Sequence, residues 1–178
     1  NIAIGCGAMS GVTTAQADSN IAIGELALTG VATTSGNDNI AIGRSSADAL
    51  TTGATNVVLG LNALGAATTG CENVAIGQLA MGTGVVTGVD NVAIGCSAGL
   101  AITSAYNNVF IGKTSADAVT TGFINVAIGH NAYGRATTGC LNIALGSAAI
   151  NGVTTGSSNI GIGQNTLFTN TSGACNIA

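Results

Sequence analysis

A five-residue phrase, Asn-[Ile/Val]-Ala-[Ile/Leu]-Gly, opens the chain as Asn1-Ile2-Ala3-Ile4-Gly5 and returns, with small variations, to its end. Its asparagine stands at Asn1, Asn20, Asn39, Asn56, Asn73, Asn91, Asn108, Asn125, Asn142, Asn159 and Asn176, at spacings of 19, 19, 17, 17, 18 and then 17 five times. A fixed period of this size is the signature of a repeat architecture, in which each unit buries its apolar face only against its neighbours. The reading is an all-β parallel β-solenoid, a β-roll of about ten coils of 17–19 residues, forming one repeat domain over residues 1–178. Because the phrase is cut at Ala178, the chain reads as a window on a longer repetitive protein.

Within each coil the phrase alternates like a short strand. In Asn125 to Gly129, Val126 and Ile128 share one side, while Asn125, Ala127 and Gly129 share the other. Hydrophobicity assigns the β-branched pair to the core. A second short strand is expected at the Thr-Thr segment, as in Val119-Thr120-Thr121, closed by Gly122. A super-repeat is superposed on the coils. Ser46-Ala47-Asp48-Ala49 returns as Ser115-Ala116-Asp117-Ala118, an offset of 69 residues or four coils. Proline is absent, which leaves a backbone ladder between coils uninterrupted.

The columns define the candidate functional positions. Eleven stacked asparagines can hydrogen-bond along the rod as a structural ladder. The residues between the β-branched pair are Ala3, Ala22, Ala41, Val58, Ala75, Ala93, Phe110, Ala127, Ala144 and Gly161. With the β-branched pair inside, this small-residue strip faces out and is the expected self-association surface, a packed intrachain face and an exposed ligand face being the alternatives. Thr51, Thr68, Thr120, Thr137 and Thr154 form a candidate outer contact column. An ordered threonine rank is the basis of the alternative reading, an ice-binding solenoid.

Other classes find little support. Charged residues are 6 % of the chain and the net charge is −4, which gives no basic footprint for nucleic acid and leaves little charge for a fully wet surface. No apolar run reaches the length of a membrane span. No phosphate loop, nucleophile elbow, calcium repeat or metal-ligand spacing is present, so no catalytic residue, metal or cofactor is assigned and the chain does not read as an enzyme. The acids are read as scattered over different phases. The five cysteines, Cys6, Cys71, Cys96, Cys140 and Cys175, do not form a disulfide framework and read as small buried hydrophobes, with a bond between chains of an oligomer as the alternative.

Asn73-Val74-Ala75-Ile76-Gly77, Asn91-Val92-Ala93-Ile94-Gly95 and Asn125-Val126-Ala127-Ile128-Gly129, each with an alanine shortly after the glycine, resemble the head repeat of YadA-like trimeric autotransporter adhesins. Similar repeats occur in phage and viral tail-fibre β-rolls. The resemblance implies a left-handed parallel β-roll and three chains side by side. It also implies an extracellular role as a virion fibre or cell-surface filament, with adhesion to a receptor or glycan. The expected partners are copies of the chain itself, with neither nucleic acid nor membrane insertion.

Overall fold

The computed structural model of the protein describes residues 1–11, 17–30, 36–152, 155–168 and 171–178. Each complete phrase supplies one three-residue strand: β1 (Ile2–Ile4), β2 (Ile21–Ile23), β3 (Ile40–Ile42), β4 (Val57–Leu59), β5 (Val74–Ile76), β6 (Val92–Ile94), β7 (Val109–Ile111), β8 (Val126–Ile128), β9 (Ile143–Leu145) and β10 (Ile160–Ile162). The ten strands form one parallel sheet in chain order, so the chain winds as a parallel β-solenoid. Register is phrase on phrase. Ala75 lies beside Ala93, Ala93 beside Phe110 and Phe110 beside Ala127. Among the described residues there is no helix.

Only one strand per coil forms among the described residues. The Thr-Thr segment is a bend, not a second strand, although it is still stitched between coils. Thr51 N–H donates to the Thr68 carbonyl at 2.8 Å, and Thr120 N–H to that of Thr137 at 2.9 Å. The reason is conformational. Most coils place three residues other than glycine in the left-handed region, such as Asn62, Leu64 and Glu72 at φ of 52°, 50° and 58°. That alternation curls the return wall tightly and leaves no run of extended backbone.

The assignment of inside and outside is the reverse of the sequence expectation. Ala22, Ala41, Val58, Ala75, Ala93, Phe110, Ala127 and Ala144 are all fully buried within the single chain. Gly161 is buried with them, and Ala3 is exposed only because it lies on the first coil. The flanking Ile and Val residues point outward; Ile128 is 40 % exposed and Ile143 is 36 % exposed. The proposed self-association strip is therefore the core.

Size explains the inversion. The interior is thin, and the return wall contributes its own apolar residues, one large against one small within a coil. Ala47 accompanies Leu50, Leu64 accompanies Ala67, Ala116 accompanies Val119, and Tyr133 accompanies Ala136, all buried. A small residue on the sheet wall leaves room for these side chains, and where it is large the return wall gives way. A Cβ on Gly99 would stand 3.2 Å from Phe110 Cδ2 and 2.8 Å from Ile102 Cδ1. At the far end Gly161 accommodates Ile150, whose Cγ1 would lie 2.6 Å from an added Cβ.

Ala127→Leu is expected to overpack this interior and cost about 1–3 kcal/mol. Ile128→Ala, on the outward side, is expected to cost about 1 kcal/mol or less. Urea midpoints of the two variants, measured on dilute protein, check the ranking; the opposite order would restore the sequence expectation.

Candidate functional site

The asparagine column is the most heavily bonded feature of the rod. Asn20, Asn39, Asn56, Asn73, Asn91, Asn108, Asn125, Asn142 and Asn159 are buried. Each Oδ1 accepts two bonds from the next asparagine. For Asn108 the donors are the backbone N–H of Asn125 at 2.9 Å and its Nδ2 at 3.0 Å. Nδ2 also donates to a backbone carbonyl late in its own coil, as from Asn125 to Gly139 at 2.9 Å and from Asn56 to Gly70 at 2.9 Å. These amides therefore tie coil to coil and fasten the return wall to the sheet. Asn142 adds a bond to the Tyr133 hydroxyl at 2.6 Å. Burial raises the pKa of that hydroxyl.

The corner glycine of the phrase has no substitute. Gly95 has φ of 136°, and a Cβ there would lie 2.5 Å from the carbonyl oxygen of Gly112 in the next coil. Neither the backbone conformation nor the inter-coil distance admits a side chain.

The threonine column divides. Thr51, Thr68, Thr120 and Thr137 are half-buried, while the second threonine of each pair, as at Thr52, Thr69, Thr121 and Thr138, is exposed. The hydroxyls of Thr51 and Thr120 are spent on the next coil, donating to the carbonyls of Thr68 and Thr137 at 2.8 Å and 3.2 Å. The first threonines are thus coil-to-coil ties, and the exposed rank is the neighbouring one. Thr154 lies outside the described residues.

What the sheet presents to its surroundings is two parallel ranks of branched aliphatic side chains. One rank runs through Ile21, Ile40, Val57, Val74, Val92, Val109, Val126, Ile143 and Ile160. The other runs through Ile23, Ile42, Leu59, Ile76, Ile94, Ile111, Ile128, Leu145 and Ile162. Most are half-buried by their own neighbours above and below.

The segments on either side of the strands form two unlike rims. The two residues before each anchor asparagine include Asp18, Asp38, Glu72 and Asp90 along the first half of the rod. Further along, the same positions carry Tyr106, Phe123, Ile124 and Leu141. The Tyr106 and Phe123 rings stack with centroids 4.9 Å apart. The opposite rim, immediately after the corner glycine, holds Glu25, Arg44, Lys113 and His130. Sequence reasoning treated the acids as scattered. Glu72 and Asp90 in fact occupy one column on adjacent coils, each directly before an anchor asparagine, and that shared phase was the available signal.

None of the five cysteines is buried, contrary to the sequence reading. Cys6, Cys96 and Cys175 are exposed, Cys71 and Cys140 are half-buried, and all are free thiols. Every one lies on a rim: Cys71, Cys140 and Cys175 before an anchor asparagine, Cys6 and Cys96 after a corner glycine. Among the described residues no group of three or more His, Cys, Asp or Glu side chains is placed to hold a metal ion. No helix among them is long and apolar enough to cross a membrane. Comparison with protein-family models, curated proteins and solved structures returns no match.

Two predictions follow from the bonding and the charges. Asn125→Ala removes acceptor and donor together and leaves the Asn142 N–H and the Gly139 carbonyl unmatched inside. It is expected to cost about 2–5 kcal/mol, against about 0.5 kcal/mol or less for Gln78→Ala on the rim; denaturant titration separates them. The second concerns pH. A hydrogen bond that protonated Glu72 donates to the Asp90 carboxylate, and then the Asp90 charge, raise the Glu72 pKa above 4.5, and burial raises those of Asp48 and Asp117 above 3.8. The folded chain thus binds more protons than the unfolded chain just above those values, and these groups lower stability as pH rises through that range. Glu72→Gln and Asp117→Asn should each flatten the fall in thermal midpoint between acid and neutral pH. An unchanged slope in both would contradict the assignment.

Proposed function

We propose that this chain is a structural, self-associating segment of a fibre or stalk, whose copies pack side by side in parallel, as a trimer or bundle, through the outward Ile/Val ranks. The observation that carries the reading is the bare face of the parallel sheet. Parallel sheets are ordinarily covered on both faces. Here the Asn and Ala side is filled by the return wall, while the aliphatic side has no cover among the described residues. Ten strands at ~4.8 Å make a face ~43 Å long. Two ranks of side chains make it ~13 Å wide, so its area of ~600 Å², widened by the apolar rim, approaches the ~800 Å² per partner of a stable interface.

Two further features support the same surface. Ile124 and Leu141 sit in the left-handed region, at φ of 54° and 61°, and are 47 % and 50 % exposed. Seven other coils place Ser19, Asp38, Thr55, Glu72, Asp90, Asn107 or Ser158 there. An exposed aliphatic residue in a strained backbone conformation does nothing for the single coil, and these two extend the apolar face where the Tyr106–Phe123 stack already widens it. The low charge content of the chain fits a surface that is covered in use.

Charge placed on the face tests the reading. Val126→Lys and Val92→Lys point outward, so the coil should still fold, but a copy packed there would bury an unpaired ammonium at a cost of several kcal/mol. Light scattering is expected to show an assembled parent and dispersed variants, with Thr138→Lys on the return wall behaving as the parent. A parent that is itself monomeric at all concentrations overturns the proposal; thermal hysteresis in that monomer would turn the reading towards ice binding.

A further inference from the structure

The rim cysteines extend the proposed function, on which this inference rests. We infer that they cross-link neighbouring copies, so that thiol oxidation locks the laterally packed assembly covalently, with each bond joining a cysteine of one rim to a cysteine of the other. All five cysteines fall in the short segments bordering the aliphatic face, and none is spent in the core. A set of small buried hydrophobes would have been drawn from the inward columns instead.

The geometry forbids bonds within a chain. Cys71 and Cys140 are four coils apart on their rim, Cys140 and Cys175 two, and Cys6 and Cys96 five on the other. At ~4.8 Å per coil the shortest of these separations is ~10 Å, beyond the ~7 Å that a disulfide spans between Cα atoms. Cysteines on opposite rims of one chain are separated by a whole strand. Only a second copy brings two of these sulfurs together.

Charge selects which rims meet. One rim carries Asp18, Asp38, Glu72 and Asp90; the other carries Arg44 and Lys113, with His130 and a single acid, Glu25. Chains running in the same direction around a common axis set unlike rims against each other. An antiparallel pair would set like rims against each other and leave the acidic half-rim with no basic partner. Bonding is then between Cys6 or Cys96 of one copy and Cys71, Cys140 or Cys175 of its neighbour. Cys96 lies about one and a half coils from the height of Cys71, an axial offset of ~7 Å and the smallest of the six combinations, so their bond joins neighbours displaced along the rod by about that distance, as in a staggered bundle. The pair that forms therefore measures the stagger between copies.

In each bond two thiols lose two protons and two electrons to a low-molecular-weight disulfide, which is reduced to two thiols. The test treats reduced, assembled protein with oxidised glutathione at neutral pH. It compares reducing with non-reducing gels and maps the bonds by mass spectrometry. Covalent dimers and higher species are expected, joined across unlike rims and led by Cys96 with Cys71, and Val126→Lys should lose them at the same oxidant concentration. Three results overturn the inference while leaving the fibre reading intact: an assembly seen by light scattering with no cross-links, cross-links between like rims, or undiminished cross-linking in the dispersed variant. A monomeric parent removes both.

Discussion

A buried asparagine amide has two donors and an acceptor to satisfy, and the geometry of this rod follows from how they are satisfied. Oδ1 takes the backbone and side-chain N–H of the next asparagine, and Nδ2 uses its second hydrogen to hold the carbonyl that closes its own coil. An unpaired amide in that position would cost as much as a large core truncation. The column must therefore face inward, and strand alternation then carries the residue two places on, usually alanine, inward with it. The aliphatic residues on either side of that alanine are left facing outward.

This order of priority, polar bonding first and hydrophobic size second, accounts for the composition of the core. A solenoid with asparagine along one interior edge has a narrow section, filled by small residues on the sheet wall and alternating large and small residues on the return wall. Local exchange preserves volume. Phe110 is matched by Gly99 in the coil before it, and Tyr133, whose hydroxyl reaches the asparagine column, is matched by Ala136. Such exchange is the condition for close packing in a structure whose units share one interior.

The repeat, the parallel stacking and the phase of every anchor asparagine were legible in the sequence, because each depends on periodicity and the Asn-to-Gly phrase never loses phase. The inward direction was not legible from hydrophobicity, which ranks Val126 and Ile128 above Ala127 and so selects the wrong side. The asparagine, sharing parity with Ala127, held the answer, but only a carbonyl across the coil such as that of Gly139 makes its inward orientation necessary. The Thr-Thr segment has strand-like composition, yet left-handed residues before it, such as Thr114 and Ala116, bend the wall. The rims were hidden for another reason. Their residues vary from coil to coil, and the chemistry of Cys71, Glu72, Asp90, Ile124 and Leu141 acquires meaning only when the coils are stacked.

The central claim is that the Ile/Val ranks face outward and are covered only by another copy. In a chain whose native cysteines are replaced by serine, a water-soluble maleimide would be reacted separately with V126C and A127C, at dilutions above and below assembly. The account predicts that position 127 stays protected at every dilution at which the coil is folded. Position 126 should label rapidly when dilute and become protected on assembly. Rapid labelling at 127 with protection at 126 in the dilute folded chain would contradict it.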